Sequence, residues 1–433
     1  MVVVGAGLAG IACALHLVAA GRSVTLLEAA DSVGGRVRTT LVDGWRLDRG
    51  FQVHDTAYPE LARLLDEPAL DLRPFTTGAV VHLGGRPHRL ADPRRHPGSA
   101  VASLRAPVGS PLDKARTVRL AVRAALVPVS RLLDAPETTT EEALHAAGIS
   151  TRMVERFWRP YLAGVFCERD LVTSSRFSSL LLRSQARGLQ CLPAAGIGAI
   201  PAQLAARLPA GVVRTGTPVD AVRPGGVTTA GGSRLSSRAV VVATDPPAAH
   251  RLLPTLGAPP RMHPLSTTYW TAPDLDPEPV IHLEGNGLAR GPLVNAVVLP
   301  SEQPGRLLSA SVLAPTVTAA AVRNHLRQWH GPRVDEWEHL ATVTVPAGTV
   351  AAPPPAGRFR SAVRVGPGVF VCGDSRDSPS TQGAAVSGRR AARAVLAELV
   401  GSAGPAGPAG LVGPAGPAGP AGLVGPAGLA GPG

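Results

Sequence analysis

Lysine is all but missing from this chain. Lys114 is the only one, and arginine supplies the rest of the 43 basic side chains, against 31 acids and a net charge of +12. Aromatic residues make up only 3% of the sequence. No arginine run is interleaved with them, so nucleic-acid binding is not expected. The abundance of Ala, Gly, Pro and Arg reads as the coding bias of a GC-rich genome, although a basic surface also suits anionic lipid or an acidic partner. Cysteine is scarce as well: Cys13, Cys167, Cys191 and Cys372 lie far apart and form no C-x-x-C pair, which points to reduced thiols and a cytoplasmic setting. No stretch reaches about 18 strongly apolar residues, so no membrane-spanning helix is expected. No leader peptide is expected, because the chain enters an apolar strand at once, abruptly enough to suggest that a few residues precede it. Neither H-x-x-x-H nor a comparable ligand cluster occurs, so no metal site is expected.

What is present is concentrated at the start. Residues 2–28 read VVVGAGLAGIACALHLVAAGRSVTLLE. Val2, Val3 and Val4 form a β-branched run. Gly5, Gly7 and Gly10 follow at G-x-G-x-x-G spacing, with Ala9 in the same turn. Leu8, Ile11, Ala12, Leu15 and Val18 then share one helical face, Gly21 closes the helix, and Val24 to Leu27 make a second strand that ends on Glu28, 18 residues after the third glycine. This is the βαβ unit that binds dinucleotides. Gly5 permits the tight turn, Gly7 lets the backbone approach a pyrophosphate, and Gly10 lets the helix pack on the sheet. The helix N-terminus offers N–H groups to the phosphates. Glu28 can accept hydrogen bonds from a ribose and would repel a 2′-phosphate.

The next segment, AADSVGGRVRTT, supplies Gly34, Gly35 and Arg36. A second glycine pair followed by arginine after the acid resembles the flavoprotein superfamily of amine oxidases, protoporphyrinogen oxidases and phytoene desaturases, in which the dinucleotide is FAD. The resemblance implies that WRLDRGFQV, Trp45 to Val53, runs beside the flavin ring through Gly50, Phe51 and Gln52, with Arg49 in place of the family's first glycine. It also implies ribityl and phosphate contacts at Gly373 and Asp374, and a helix opened by Gln382, Gly383 and Ala384 and continued through Ser387 and Gly388. In TPVDAV, Val219 aligns with the residue whose backbone holds the adenine. PAAGIGAIPAQLAARL resembles the family's glycine-bearing turn before a helix that returns to the FAD domain. The resemblance spans about residues 1–400 and thins between 60 and 190 and between 255 and 355.

The expected fold is α/β: a Rossmann-like FAD-binding domain of residues 1–75, 193–250 and 356–400, and a discontinuous α+β substrate domain of residues 76–192 and 251–355. Within the latter, Leu112 to Leu133 reads as a basic amphipathic helix interrupted near Pro128, with Arg116, Arg119 and Arg123 on one face; it is read as a lid with a solvated arginine face or as a membrane-surface helix. TTTEEAL, Thr138 to Leu144, carries a helix N-cap signal. Phe157, Trp158, Tyr161 and Phe166 line an apolar pocket or pack a core. His54 is a structural histidine or faces the site. From Gly401 to Gly431 glycine falls at every third position, the collagen period. With alanine or valine at most third positions this reads as a disordered low-complexity tail, or as a trimerisation segment.

The resemblance implies a non-covalently held FAD whose N5 takes hydride, with orientation and electrostatics as the protein's share. No catalytic side chain is assigned. There is no second G-x-G-x-x-G after a strand, so electrons would pass to oxygen or a quinone. The family's amine oxidases use a lysine from the second half of the chain and paired aromatics at the flavin, and neither is found here. The expected reaction is therefore dehydrogenation of an apolar small molecule, polyene-like or tetrapyrrole-like. A flavin-dependent isomerase or mutase, an amine oxidase, and a protein that self-assembles through its tail are the alternatives.

Overall fold

The computed structural model describes residues 1–92, 95–300 and 305–402. The Gly-X-Y tail lies, from residue 403 on, outside the described residues.

The chain opens with β1 (Val2–Val4), α1 (Leu8–Ala19) and β2 (Thr25–Leu27). Ile11 and Leu17 of α1 have no exposed surface, and burying such a side chain contributes about 1.5–3 kcal/mol. Gly21, at φ +71°, ends the helix where a side chain would be strained. A first visit to a second sheet follows, with β3 (Gly78–Leu83) and β4 (Arg86–Ala91). Helices α2 (Ala100–Arg105), α3 (Pro111–Leu126), α4 (Val129–Asp134), α5 (Thr140–Ala146) and α6 (Arg159–Phe166) come next. The break expected near Pro128 is real: Pro128 is the N-cap of α4. The N-cap signal also lands, since Thr139 and Glu142 form a capping box on α5.

The chain returns to the first sheet with β5 (Val213–Arg214) and β6 (Val240–Val242). It then lays down β7 (Met262–Thr271), β8 (Ile281–Glu284), β9 (Leu293–Leu299), β10 (Leu307–Val312), α7 (Ala319–His330) and β11 (Glu338–Val350). The last elements are β12 (Arg364–Gly366), β13 (Val369–Val371) and α8 (Thr381–Ser402).

Two large sheets result. The first has the order β5-β2-β1-β6-β13-β12 and is parallel except at β12. Its central strands are fully buried valine runs, as a sheet covered on both faces requires. The second runs β11-β7-β10-β9-β8-β3-β4 and is antiparallel except where β8 meets β3. Helices α1 and α8 cross where Gly388 leaves room; a Cβ there would stand 2.2 Å from the Ala9 carbonyl oxygen. Cys13, Cys191 and Cys372 are buried free thiols. No helix among the described residues is long and apolar enough to cross a membrane.

Candidate cofactor site

The carboxyl ends of β1, β6 and β13 lie side by side, the edge where open α/β sheets receive ligands. The three glycines after β1 serve different needs. Gly5 has φ +103°, and a Cβ on it would lie 2.8 Å from the Ala243 oxygen, after β6. A Cβ on Gly10 would stand 1.9 Å from the Gly5 oxygen. The fold itself therefore demands both. Gly7 has an ordinary φ of −74°, and nothing lies within 4 Å of a Cβ placed on it. Neither strain nor packing calls for glycine there; it keeps open a space over the start of α1. That helix has no side-chain cap and no acid in its first turn. Among the described residues nothing accepts from the N–H groups of Ala9 and Gly10. Uncapped N–H groups and the positive helix end beside an open cradle suit an anion.

The walls of this cradle come from the other predicted residues. Gly34 donates to the Ala6 oxygen at 2.8 Å, and a Cβ on Gly35 would sit 3.6 Å from the Gly7 Cα. Glu28 stands at the end of β2. Its Oε2 accepts from Ala6 N at 2.7 Å and its Oε1 from Ala30 N at 2.9 Å, which fixes the carboxylate and leaves lone pairs for two hydroxyls. Thr217 N donates to the Glu28 carbonyl and so brings Val219, two residues on, beside it. Arg36 and Asp374, 338 residues apart in sequence, form an ion pair at 2.6 Å, and Arg36 also donates to the Gly348 oxygen at 3.0 Å. Burial works against the guanidinium charge, but Asp374 and the more distant Asp245 outweigh it, so the Arg36 pKa is raised. Gly373, at φ +148°, donates to Ser387 Oγ at 3.0 Å, tying the end of β13 to α8.

The segment Trp45 to Val53 is held as firmly. Gly50, at φ +89°, turns against β7; a Cβ there would lie 2.8 Å from Leu265 Cδ2. Arg49, in the place of the family's glycine, is exposed, and its backbone N–H donates to the Arg38 oxygen. Gln52 donates to the Arg36 and Arg49 oxygens, and Phe51 meets Phe75 edge-on at 5.6 Å. At the other end, Gly383 permits the tight start of α8, 1.9 Å from the Ser378 oxygen on the same test, and Ala384 follows on the same turn. Gln382 is engaged elsewhere: its Oε1 accepts from Glu60 N and Leu61 N. The cluster 157–166 divides. Trp158 and Phe166 are core residues, while Phe157 and Tyr161 stack in parallel, half-buried. His54 is buried, and its Nε2 pairs with Glu67 at 2.9 Å, a structural partner.

Other residues had no local sequence signal. Asp48 is buried beneath Thr39 Oγ1 and Ile197 N, and burial pushes its carboxyl up to about 6. Thr267, Ser309 and Asn295 share one face of β7, β10 and β9 by their register. Each carries a buried side-chain oxygen without a partner, and a Cβ on Gly50 would lie 3.9 Å from Thr267 Oγ1. Residues Val154–Trp158 form a turn of π-helix, a geometry frequent at functional sites.

The family model described as flavin containing amine oxidoreductase matches residues 8–273 and 284–396. The chain belongs to that family. Membership implies a flavin cofactor, and the cradle at Gly7 fits its pyrophosphate. Family resemblance is densest in short stretches: 46% identity over 84 residues to a putrescine oxidase of Kocuria rosea, 19% of this chain and 18% of that one, and 56% over 50 residues to a phytoene dehydrogenase of Streptomyces griseus, 12% and 10%. The matches thus span under a fifth of those relatives. A solved cyclohexylamine oxidase from Brevibacterium oxydans shares the mixed α/β fold across 92% of this chain and 99% of its own, with TM-score 0.64 and 18% identity.

Proposed function

We propose that this chain is an FAD-dependent oxidoreductase that dehydrogenates an apolar small molecule. The observation that carries the reading is Gly7, a glycine that neither strain nor packing explains, held open over an uncapped helix. FAD, when bound, supplies the hydride acceptor. The chain's own residues bind and orient: the α1 N-terminus and Arg36 face the pyrophosphate, Glu28 takes the ribose hydroxyls, and the Val219 backbone lies along the adenine. Gly373, Asp374 and the start of α8, from Gln382 to Ala384, border the ribityl chain. Phe51 and Gly50 set the plane of the ring against β7. Thr267, Ser309 and Asn295, each with an unsatisfied buried oxygen, would meet a polar group of the ring or of the substrate. Phe157 and Tyr161 offer the substrate an aromatic wall.

The absence of lysine after Lys114 favours hydride removal from carbon, where alignment matters more than a base, over amine oxidation. Oxygen or a quinone serves as acceptor, and the flavin is held without a covalent bond. The FAD domain comprises residues 1–75, 193–250 and 356–400, and the substrate domain 76–192 and 251–355, because the strands of the two sheets draw on these segments. The test is the absorbance spectrum of the purified protein before and after denaturation and filtration. Flavin bands with free FAD in the filtrate are expected, followed by bleaching under anaerobic conditions with the right substrate. A colourless protein that takes up no added FAD would refute the reading. Reduced-flavin dependence without bleaching would favour the isomerase or mutase instead.

A further inference from the structure

Four of the chain's twelve histidines gather at one edge of the second sheet and the end of α7, outside the cofactor cradle. His82 on β3, His282 on β8 and His330 at the end of α7 each offer a ring nitrogen within 4.8 Å of the other two. His82 Nε2 and His282 Nδ1 are 2.9 Å apart. The ring centroids stand 5.1, 5.4 and 5.4 Å from one another. Three imidazoles bound to one ion at about 2.0–2.1 Å and tetrahedral angles would place their centroids roughly 5.2 Å apart, and their nitrogens roughly 3.3 Å apart. The centroid triangle already has the required size, and the 2.9 Å nitrogen pair must open by a few tenths of an ångström to accept an ion.

We propose that His82, His282 and His330 form a three-histidine site for a divalent transition-metal ion of the zinc class, with water completing the tetrahedron. His282 and His330 are only half-buried, which leaves a path to solvent for that water.

The surroundings hold the rings as supporting groups hold metal ligands. Trp329 lies flat on His82, with centroids 4.5 Å apart and planes at 4°. Its Nε1 donates to Glu284 Oε2 at 3.1 Å, and His325 Nε2 bonds the same oxygen at 2.8 Å. Asn286 occupies Glu284 Oε1 through both its nitrogens. Glu284 is thus fully engaged: it anchors Trp329, and through it the His82 ring, rather than ligating. His325 Nδ1 accepts from Leu293 N at 3.2 Å, so it is a structural member too. The negative end of α7 adds a favourable field for a cation, while Arg333, paired with Asp274 at 3.4 Å, is the opposing charge. An ion here would pin the end of α7 to β3 and β8. The expectation that no metal site exists rested on local spacing, and this site draws on residues 82, 282 and 330.

The test uses the full, tag-free, flavin-loaded chain, stripped with a chelator and desalted. Co²⁺ titration should give a saturable visible band of tetrahedral intensity at one equivalent. Zn²⁺ should displace that band and raise the Tm. His330→Ala, at a helix end, should retain flavin content while weakening Zn²⁺ binding at least tenfold, and His282→Asn should do the same. His145→Ala, away from the cluster, should bind as the parent does. Absence of the tetrahedral band in the parent protein would overturn the proposal, and so would equal Zn²⁺ affinity in parent and His330→Ala. Because the parent's Co²⁺ spectrum decides alone, a variant that fails to fold does not remove the test.

Discussion

Gly7 and Gly10 are alike in the sequence and opposite in what they protect. An alanine at Gly10 drives its Cβ into the Gly5 carbonyl oxygen, 1.9 Å away, and α1 must lift off the sheet to admit it. Gly10→Ala should therefore cost about 3 kcal/mol or prevent soluble expression. An alanine at Gly7 meets nothing. Gly7→Ala should change the stability of the flavin-free protein by about 1 kcal/mol or less, yet lower FAD affinity at least tenfold, because its methyl group enters the space reserved for phosphate. Denaturant melts of the stripped protein and flavin titration separate the two effects. Undiminished FAD binding by Gly7→Ala would remove the argument for the cradle. Asp48 makes a second prediction at this scale. Its folded pKa is raised to about 6 by burial, above the ordinary value of about 3.9, so the folded state holds the proton more tightly than the unfolded one. The stability this group contributes is complete below about pH 4 and is lost as pH rises to about 6, a change on the order of 3 kcal/mol. Asp48→Asn keeps an acceptor for Thr39 and Ile197 but cannot ionise. Its Tm should flatten across that pH range relative to the parent; parallel pH profiles would show that Asp48 does not titrate there.

At the scale of elements, α2 to α4 present the most unusual surface. Val101, Leu104, Leu112, Val118, Val122, Leu126 and Val129 are all exposed, Leu126 by 76%, and the exposed Arg119 and Arg123 lie among them. Apolar side chains interleaved with arginine on consecutive helices fit an anionic lipid surface. Vesicles containing phosphatidylglycerol should sediment with the protein, and neutral phosphatidylcholine vesicles should not. Val122→Asp with Leu126→Asp should reduce the bound fraction about tenfold and leave flavin content unchanged. Equal sedimentation by the double variant would return the face to the role of a solvated lid. The elements also show what a sequence can reveal. The first βαβ unit, the break at Pro128 and the cap at Thr139 are legible because each depends on neighbours within a few residues. The ion pair of Arg36 with Asp374 was half legible: both residues carried a local signature, and only the sheet order brings β13 within one strand of β1, with β6 between them. The partnerless oxygens of Thr267, Ser309 and Asn295 were not legible, since strand register decides which face they share. The same holds for the three histidines, each on a different element.

Across the whole molecule, the proposed cofactor is the one object that touches segments from every visit to the first sheet. The turn after β1, Glu28 after β2, Arg36, Val219 and the Gly373–Ala384 stretch are separated by up to some 380 residues, and at the cradle the Arg36–Asp374 ion pair joins an early segment to a late one. A ligand that binds only the folded arrangement stabilises it by mass action, about 2.7 kcal/mol at a hundredfold excess over Kd. Adding FAD to the stripped protein should therefore raise its Tm by several degrees, in proportion to the logarithm of concentration once past saturation. The increment should shrink in Glu28→Ala, which loses the ribose acceptor, and in Asp374→Ala, which leaves the half-buried guanidinium of Arg36 without its ion-pair partner. Asp374→Ala should in addition melt lower without any ligand, because its loss strands that charge, whereas Glu28→Ala should cost less in the empty protein. If FAD raises the Tm of both variants as much as that of the parent, the two fingerprints do not grip the same molecule. The cradle would then have to serve some other anion. If only Asp374→Ala escapes the loss, the carboxyl end of the chain supports the fold and the amino end alone holds the nucleotide.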